Sequence, residues 1–248
     1  MKEARSNVFP DKWLGETLGR PAYRVVVDAA LVSGKARARP EHARLRRILR
    51  TRPVFVYSRV RTGDLEAAGF LQDLGFRLVD TNLVFEKSIE RRPRRVVGNR
   101  TARFAESTDE PQAVALARRA FTFSRFHVDP MIGRKTANRL KAEWVSNFFH
   151  GRRGEAMVVA VEREKIVGFL QLLRSGDATL VIDLIAVDRK RRRRGVAAAM
   201  ISFAEGHCRG AKRICAGTQV ANVPSIRMYE KLGFKVSDVN NVFHYHRL

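Results

Sequence analysis

Acids, cysteines and long apolar runs are all scarce in this 248-residue sequence, and each scarcity removes a class of protein. Cysteine occurs only at Cys208 and Cys215. Separated by an expected helix end and strand start, the pair supplies neither a disulfide framework nor a zinc quartet, and a reducing cytoplasm is the expected setting. No apolar run approaches the ~20 residues that cross a bilayer, and the N-terminal MKEARSNVFPDKW lacks the apolar stretch of a secretion signal. A soluble cytoplasmic protein with no membrane partner is expected. Asp and Glu number 25 against 48 Lys and Arg, a formal charge of +23 and a pI near 11.3. Such a balance favours polyanionic partners or highly charged small ligands. Arg supplies 37 of the 48, a bias that base composition alone can produce, so particular residues inform more than the total.

What is present is a 45% apolar fraction in a chain long enough to bury a core without staples. The least globular stretch, KSIERRPRRVVGNR from Lys87 to Arg100, surrounds Pro93 and Gly98 with basic residues. It divides the chain into an N-terminal α/β half (1–90), a basic linker (91–100) and a larger C-terminal half (101–248). In the first half, strands are expected at Tyr23 to Val27, Val54 to Val60 and Phe76 to Phe85, with helices at Pro40 to Arg50 and Asp64 to Leu74. In the second, helical spacing covers Ala113 to Phe121 and Ala137 to Phe148. A hairpin follows over Met157 to Leu173, then a strand at Thr179 to Val187, a helix opening at Gly195, a strand near Ile214, a helix at Pro224 to Leu232 and a last strand. The class is α/β of the α+β type, with a mixed, largely antiparallel sheet.

Two segments echo each other at an offset of 158: LGFRLVDTNLVFEK (Leu74 to Lys87) overlays LGFKVSDVNNVFHY (Leu232 to Tyr245). Asp80 falls on Asp238, Asn82 on Asn240 and Val84 on Val242. Either the two halves end in the same duplicated helix, turn and strand, or a common α/β pattern has recurred by chance.

The most informative stretch is LIAVDRKRRRRGVAAAMI, Leu184 to Ile201. An apolar strand, a basic turn and then Gly195 open a helix with small residues. Free N–H groups and the positive end of the helix dipole suit phosphate there, and Gly195 and Ala197 permit close backbone approach. The run lacks the GxxxxGK and GxGxxG patterns of nucleotide-binding loops. Taken alone, five basic residues at Lys190 to Arg194 read first as a solvated run; their place between a strand and a helix favours the phosphate site.

Arg192, Arg193, Arg194, Gly195, Val196 and Ala197 satisfy (R/Q)-x-x-G-x-(G/A), and here the sequence resembles the GNAT superfamily of N-acetyltransferases. NVPSIRMYEKLGF, Asn222 to Phe234, is similar to that family's late Asn, helix, Tyr and Gly-Phe pattern. Ala197 replaces the commoner final Gly, and Arg193 stands where Gly is frequent. The resemblance covers roughly residues 100 to 248. It implies a sheet with two splayed strands that hold acetyl-CoA, the pyrophosphate on the amides of Arg193 to Ala197 and the pantetheine along Ile185 and Val187. Asn222 and Ser225 would add cofactor contacts at the start of the late helix. Tyr229 would give a proton to the departing thiolate, as a neutral phenol with a reference pKa of about 10 can; without the resemblance it reads as a core aromatic. Asp183, the nearest acid to the strand end, would take the amine's proton through water, orient the amine, or serve a structural ion pair. No metal and no covalent enzyme intermediate are expected.

The loop FTFSRFHVDP, Phe121 to Pro130, lies where the resemblance puts acceptor recognition, with Arg125, His127 and Asp129 as candidate contacts. This loop, the AEWVSNF helix and the N-terminal half are together similar to dTDP-fucosamine acetyltransferases, GNAT enzymes acting on a nucleotide-linked amino sugar. The expected acceptor is therefore a small-molecule amine of that class. A protein or peptide amine is the alternative acceptor, and a basic nucleic-acid binder on a GNAT fold is the alternative from another class. A homodimer is compatible with the sequence. His244 and His246 share a strand face without the acid or thiol support a metal site requires. The first half should not bind the cofactor: Gly34, Gly63 and Gly69 follow no Arg or Gln by three residues, and Gly75, which follows Gln72, has Arg77 where the motif ends in Gly or Ala.

Overall fold

A computed structural model describes residues 7–32, 40–89, 101–176 and 178–248, so the expected linker at 91–100 lies outside it. The first half runs β1 (Val8–Pro10), α1 (Lys12–Leu18), β2 (Ala22–Val25), α2 (Ala29–Val32), α3 (Pro40–Arg50), β3 (Val54–Arg61), α4 (Leu65–Asp73) and β4 (Arg77–Ser88). The second runs β5 (Thr101–Phe104), α5 (Glu110–Ala120), α6 (Arg125–Val128), α7 (Arg134–Phe149), β6 (Ala156–Glu162), β7 (Lys165–Ser175) and β8 (Thr179–Val187), then α8 (Val196–His207), β9 (Arg213–Gln219), α9 (Val223–Lys231) and β10 (Lys235–Arg247).

The strands form one continuous sheet in the order β1-β2-β3-β10-β4-β9-β8-β7-β6-β5. Pairing is antiparallel except between β2 and β3 and between β8 and β9. The two halves are therefore not separate sheets. Each has given its last strand to the other: β10 lies between β3 and β4, and β4 lies between β10 and β9.

This exchange is where the sequence echo acquires physical meaning. Asn82 pairs with Asn240, its own image at the offset 240 − 82 = 158, while Asp80 opposite Val242 and Val84 opposite Asp238 are images of one another. The flanking pairs obey the same offset: Arg61 opposite Asn240 maps onto Gln219 opposite Asn82. A pseudo-two-fold axis thus passes through the Asn82–Asn240 pair. The helices follow it. α4 is capped by Asp64, whose side chain accepts from the Ala67 N–H, and α9 by Asn222, which accepts from Ser225; each cap satisfies an N–H that the first helical turn leaves unpaired. Both helices end at a left-handed glycine, Gly75 (φ 87°) and Gly233 (φ 86°), where a side chain would be strained. The unit β3–α4–β4 thus has its image in β9–α9–β10.

On one face of the sheet, α3 and α4 cover Val54, Val56, Val60 and Phe243, while α8 and α9 cover Phe85, Leu170 and Ile182. On the other, α5 and α7 cover Val159, Phe169 and Leu184, and α1, α6 and α7 pack on Phe55. β8 serves both faces. A register shift opposite Gln171 and Leu172 leaves Asp183 unmatched; Leu180 and Ile182 before it join the core under α8, whereas Leu184 and Ala186 after it join the core under α5. A bulge inserts one residue and re-aims those that follow.

Candidate active site

The parallel ladder between β8 and β9 runs from Thr179↔Arg213 to Ile182↔Ala216 and stops. Both strands continue, to Val187 and Gln219, so beyond the bulge their facing edges diverge with no ladder between them. Ile185 and Val187 lie on this diverging stretch, half-buried. The cleft has a polar apex at Asp183 and an edge able to pair with an extended ligand.

At the far end of β8 the basic turn is braced by its own side chains. Asp188 accepts from the Lys190 N–H (2.9 Å), and the Arg192 guanidinium donates to the carbonyls of Val187 (3.2 Å) and Ala120 (3.0 Å). Arg191 pairs with Glu162, and Arg119 with Asp188 at 3.3 Å. Arg192 thus acts on the backbone of the turn, whereas its sequence position suggested direct contact with a ligand. Arg193 (φ 61°) and Gly195 (φ 78°) adopt left-handed backbone on either side of Arg194, turning the chain so that Val196 and Ala197 start α8. A Cβ built at Gly195 meets no atom within 4 Å. The N–H groups of the first turn are therefore open to an anion, and the residues fit a pyrophosphate.

Tyr229 of α9 is 1% exposed, its ring against Phe85 (5.4 Å) and Phe234 (5.2 Å). Burial pushes its phenol above the ordinary value, so it keeps its proton at working pH. Asn222 caps the same helix and also donates to Thr218 Oγ1 (3.1 Å), while Ser225 supplies the capped N–H. Asp183 is heavily engaged. Arg153 grips both carboxylate oxygens at 2.7 Å, and Trp144 Nε1 donates to Oδ2 at 2.8 Å. Of the roles open to Asp183 in the sequence, this is the structural ion pair.

The acceptor candidates separate. His127 is half-buried, with Nδ1 on Ser124 Oγ (2.6 Å) and Nε2 on Asn138 Oδ1 (3.0 Å); burial lowers its pKa, and it ties α6 to α7 as a neutral ring. Asp129 is 2% exposed. Its Oδ2 accepts from His244 Nδ1 (2.5 Å) and His246 Nε2 (2.7 Å), and its Oδ1 from the Met131 N–H (2.8 Å). Burial alone would raise that carboxyl, but these bonds outweigh it and hold it well below the usual range. The structure thus places His127 and Asp129 inside the packing of the loop, not at its ligand-facing surface. The three groups lie close enough to suggest a metal set. However, Arg20 donates to the other nitrogen of His246 (2.9 Å) and Arg125 to that of His244 (3.1 Å), which fixes both tautomers and closes the array as Arg–His–Asp–His–Arg.

Arg125, besides its bond to His244, holds its guanidinium over Tyr57 (4.1 Å) and Phe126 (4.3 Å). Burial lowers its pKa to about 10. Three residues around it escaped the sequence reading. Lys141 of α7 is 6% exposed among Trp144, Phe121 and Phe126 (4.5, 5.1 and 5.9 Å to the ring centroids); burial lowers its pKa to about 7, against the pull of Asp183. Asp80 of β4 has its carboxyl raised to about 6 by burial, and its Oδ2 has no hydrogen-bond partner among the described residues. Arg59 of β3 stands beside Asp80 and Arg125, and burial lowers its pKa too. A basic residue in a helix and an acid in a strand carry no local signal of such surroundings, although the echo of Asp80 in Asp238 was visible.

Residues 114–234 match the acetyltransferase (GNAT) family. The chain is 32% identical over 143 residues to the spore coat polysaccharide biosynthesis protein SpsD of Bacillus subtilis (strain 168), an alignment covering 57% of this chain and 48% of that protein. The matched segment thus spans about half the relative's length. Among solved structures, a GCN5-related N-acetyltransferase from Sphaerobacter thermophilus superposes with a TM-score of 0.61 at 18% identity, covering 91% of this chain and 72% of its own. A tandem GNAT protein from the clavulanic acid biosynthesis pathway does so at 0.61 and 16%, covering 92% and 76%. Among the described residues no helix is long and apolar enough to cross a membrane. The splayed strands, the bulge and the glycine-started helix all fall within the segment 114–234 that matches the acetyltransferase (GNAT) family, and the fold is that of the GNAT structures.

Proposed function

We propose that the chain is an acetyl-CoA dependent N-acetyltransferase that transfers the acetyl group directly to a primary amine of a small, nucleotide-linked amino sugar. The observation carrying this reading is the succession, along β8 and into the start of α8, of a polar bulge at Asp183, a free strand edge and the open amides from Arg193 to Ala197. Acetyl-CoA supplies an activated acyl group as a thioester. The chain's residues do the rest. The α8 amides hold the pyrophosphate, the edge at Ile185 and Val187 aligns the pantetheine, and Asn222 and Ser225 order the start of α9 beside it. Tyr229 offers its O–H to the leaving sulfur, and the Arg153 clamp on Asp183 fixes the floor over which the amine must approach.

The acceptor class rests on the similarity to a polysaccharide-biosynthesis protein and on the basic groups Lys141 and Arg125 that share the Phe126 ring. Trp144, bonded to Asp183 at the apex, stands against Lys141 at 4.5 Å, and a basic group there suits a small anionic molecule. A thiol-release screen against amino sugars, dTDP- and UDP-linked amino sugars, peptides and polyamines tests the reading. The expected result is turnover of a nucleotide-linked amino sugar. Efficient turnover of a peptide amine, with none of the sugars, would replace the acceptor and leave the acetyltransferase.

A further inference from the structure

Lys141 presents a physical problem. An ammonium withdrawn from water loses several kcal/mol of solvation unless a counter-charge and hydrogen bonds replace it. Lys141 has neither in full. Its aromatic surroundings attract a cation but offer no lone pair to its three N–H donors, and no hydrogen bond to it occurs among the described residues. Asp183, the acid nearest in charge, is already gripped on both oxygens by Arg153. Phe126 is shared: one ring faces Lys141 at 5.9 Å and Arg125 at 4.3 Å, so two cations stand on one wall. Arg59 adds a third charge beside Arg125 and has no ion pair among the described residues. Next to them, Tyr57 borders a surface concavity lined by Phe9, Asp11, Lys12 and Arg24. With Lys141 buried, Arg125 half-buried and the nearby Asp183 already gripped by Arg153, these basic groups keep donors to spare, as at a site that lacks a counter-ion.

We infer that Lys141, Arg125 and Arg59 form an oxyanion site for the acceptor, so that the substrate carries a phosphate or carboxylate close to its amine, and that the unbonded Asp80 oxygen receives the ammonium. This rests on the proposed amine acceptor and narrows it to a dipolar one. Arg59 and Asp80 come from β3 and β4, so the N-terminal repeat contributes to the acceptor site although it carries no cofactor motif.

The test uses the full chain in a Trp13→Phe background, which leaves Trp144, 4.5 Å from Lys141, as the one indole. With CoA at saturation to occupy the α8 amides, fluorescence is titrated with inorganic phosphate, dTDP and galacturonate, which separate phosphate, nucleotide and sugar-acid sources. A saturable change with at least one of them is expected. It should weaken at least tenfold in Lys141→Met, whose melting temperature should equal or exceed the parent's because a desolvated charge is gone. Arg59→Gln, at an accessible side chain that cannot unfold the core, should weaken it at least threefold. No saturable change with any probe overturns the inference, as does unaltered affinity in both variants. Oxyanion binding through Lys141 without acetylation of any amino sugar would remove the proposed acceptor and leave this site standing. Acetylation of a nucleotide-linked amino sugar with KM unchanged in both variants would do the reverse.

Discussion

Replacing Asp183 by Asn separates catalysis from architecture at the apex of the cleft. The carboxylate accepts two bonds from Arg153 at 2.7 Å and one from Trp144 at 2.8 Å, and its side chain is 8% exposed. Removing one partner of a buried pair costs about 3 to 5 kcal/mol. Arg153 is 35% exposed, so water recovers part of its stranded charge, and a loss of about 2 to 3 kcal/mol is the discounted figure. For a chain of this size each kcal/mol lowers Tm by roughly 2 to 4 °C, which makes the expected drop about 4 to 12 °C. Scanning calorimetry and urea unfolding measure it. Turnover at a temperature where the variant is folded should fall by less than about tenfold, because the group orients its neighbours. A general base would behave in the opposite way, with kcat down by about 10² to 10⁴ and Tm within a degree of the parent's. That pattern would refute the reading of Asp183 as a clamp. In the double variant with Arg153→Met, the destabilisation should be smaller than the sum of the single ones, since the second change removes the stranded charge.

Three further outcomes are expected. Gly195→Val places a branched side chain at φ 78° and over the α8 amides, so acetyl-CoA affinity measured by calorimetry should fall at least tenfold; unchanged affinity in the folded variant would remove the anion cradle. Tyr229→Phe deletes only the phenolic proton, so kcat should fall about tenfold or more with acetyl-CoA affinity retained, and full activity would return Tyr229 to the core. Asp80 has a folded pKa raised to about 6 from 3.8, so the native state holds a proton that the unfolded chain has released, and stability is lost as pH rises through that window. Asp80→Asn should therefore gain about 1 to 2 kcal/mol at pH 8, discounted for partial exposure, and nothing at pH 3.5; an equal gain at both pH values would contradict the burial argument.

Much of the local structure was written in periodicity. α3 and β8 occupy the residues their patterns marked, and the β6–β7 hairpin brackets its polar turn within two residues at each strand end. β1, α1 and β5 escaped because three, seven and four residues are too few for a period to register. Beyond that hairpin, strand order was not legible, since alternation says which face a residue occupies and nothing about which strand lies beside it. The basic turn that opens α8 could be read because its chemistry is contiguous. The packing around α6 and α7 could not: Asp129 meets His244 and His246 across separations of 115 and 117 residues, and Lys141 sits in RKTANRLKAEWVSNFF, where a Lys reads as solvent-facing until Phe121 and Phe126 close over it.

The exchanged strands also set a timetable for synthesis. β3 and β4 are complete early, but the slot between them belongs to β10, whose residues emerge about 158 positions later. At roughly 5 to 20 residues per second the ribosome leaves that slot open for about 8 to 30 s. Throughout this interval the facing edges of two apolar strands must avoid pairing with other chains. The N-terminal half, although made first, is thus the last to close, and both halves finish folding in the same event.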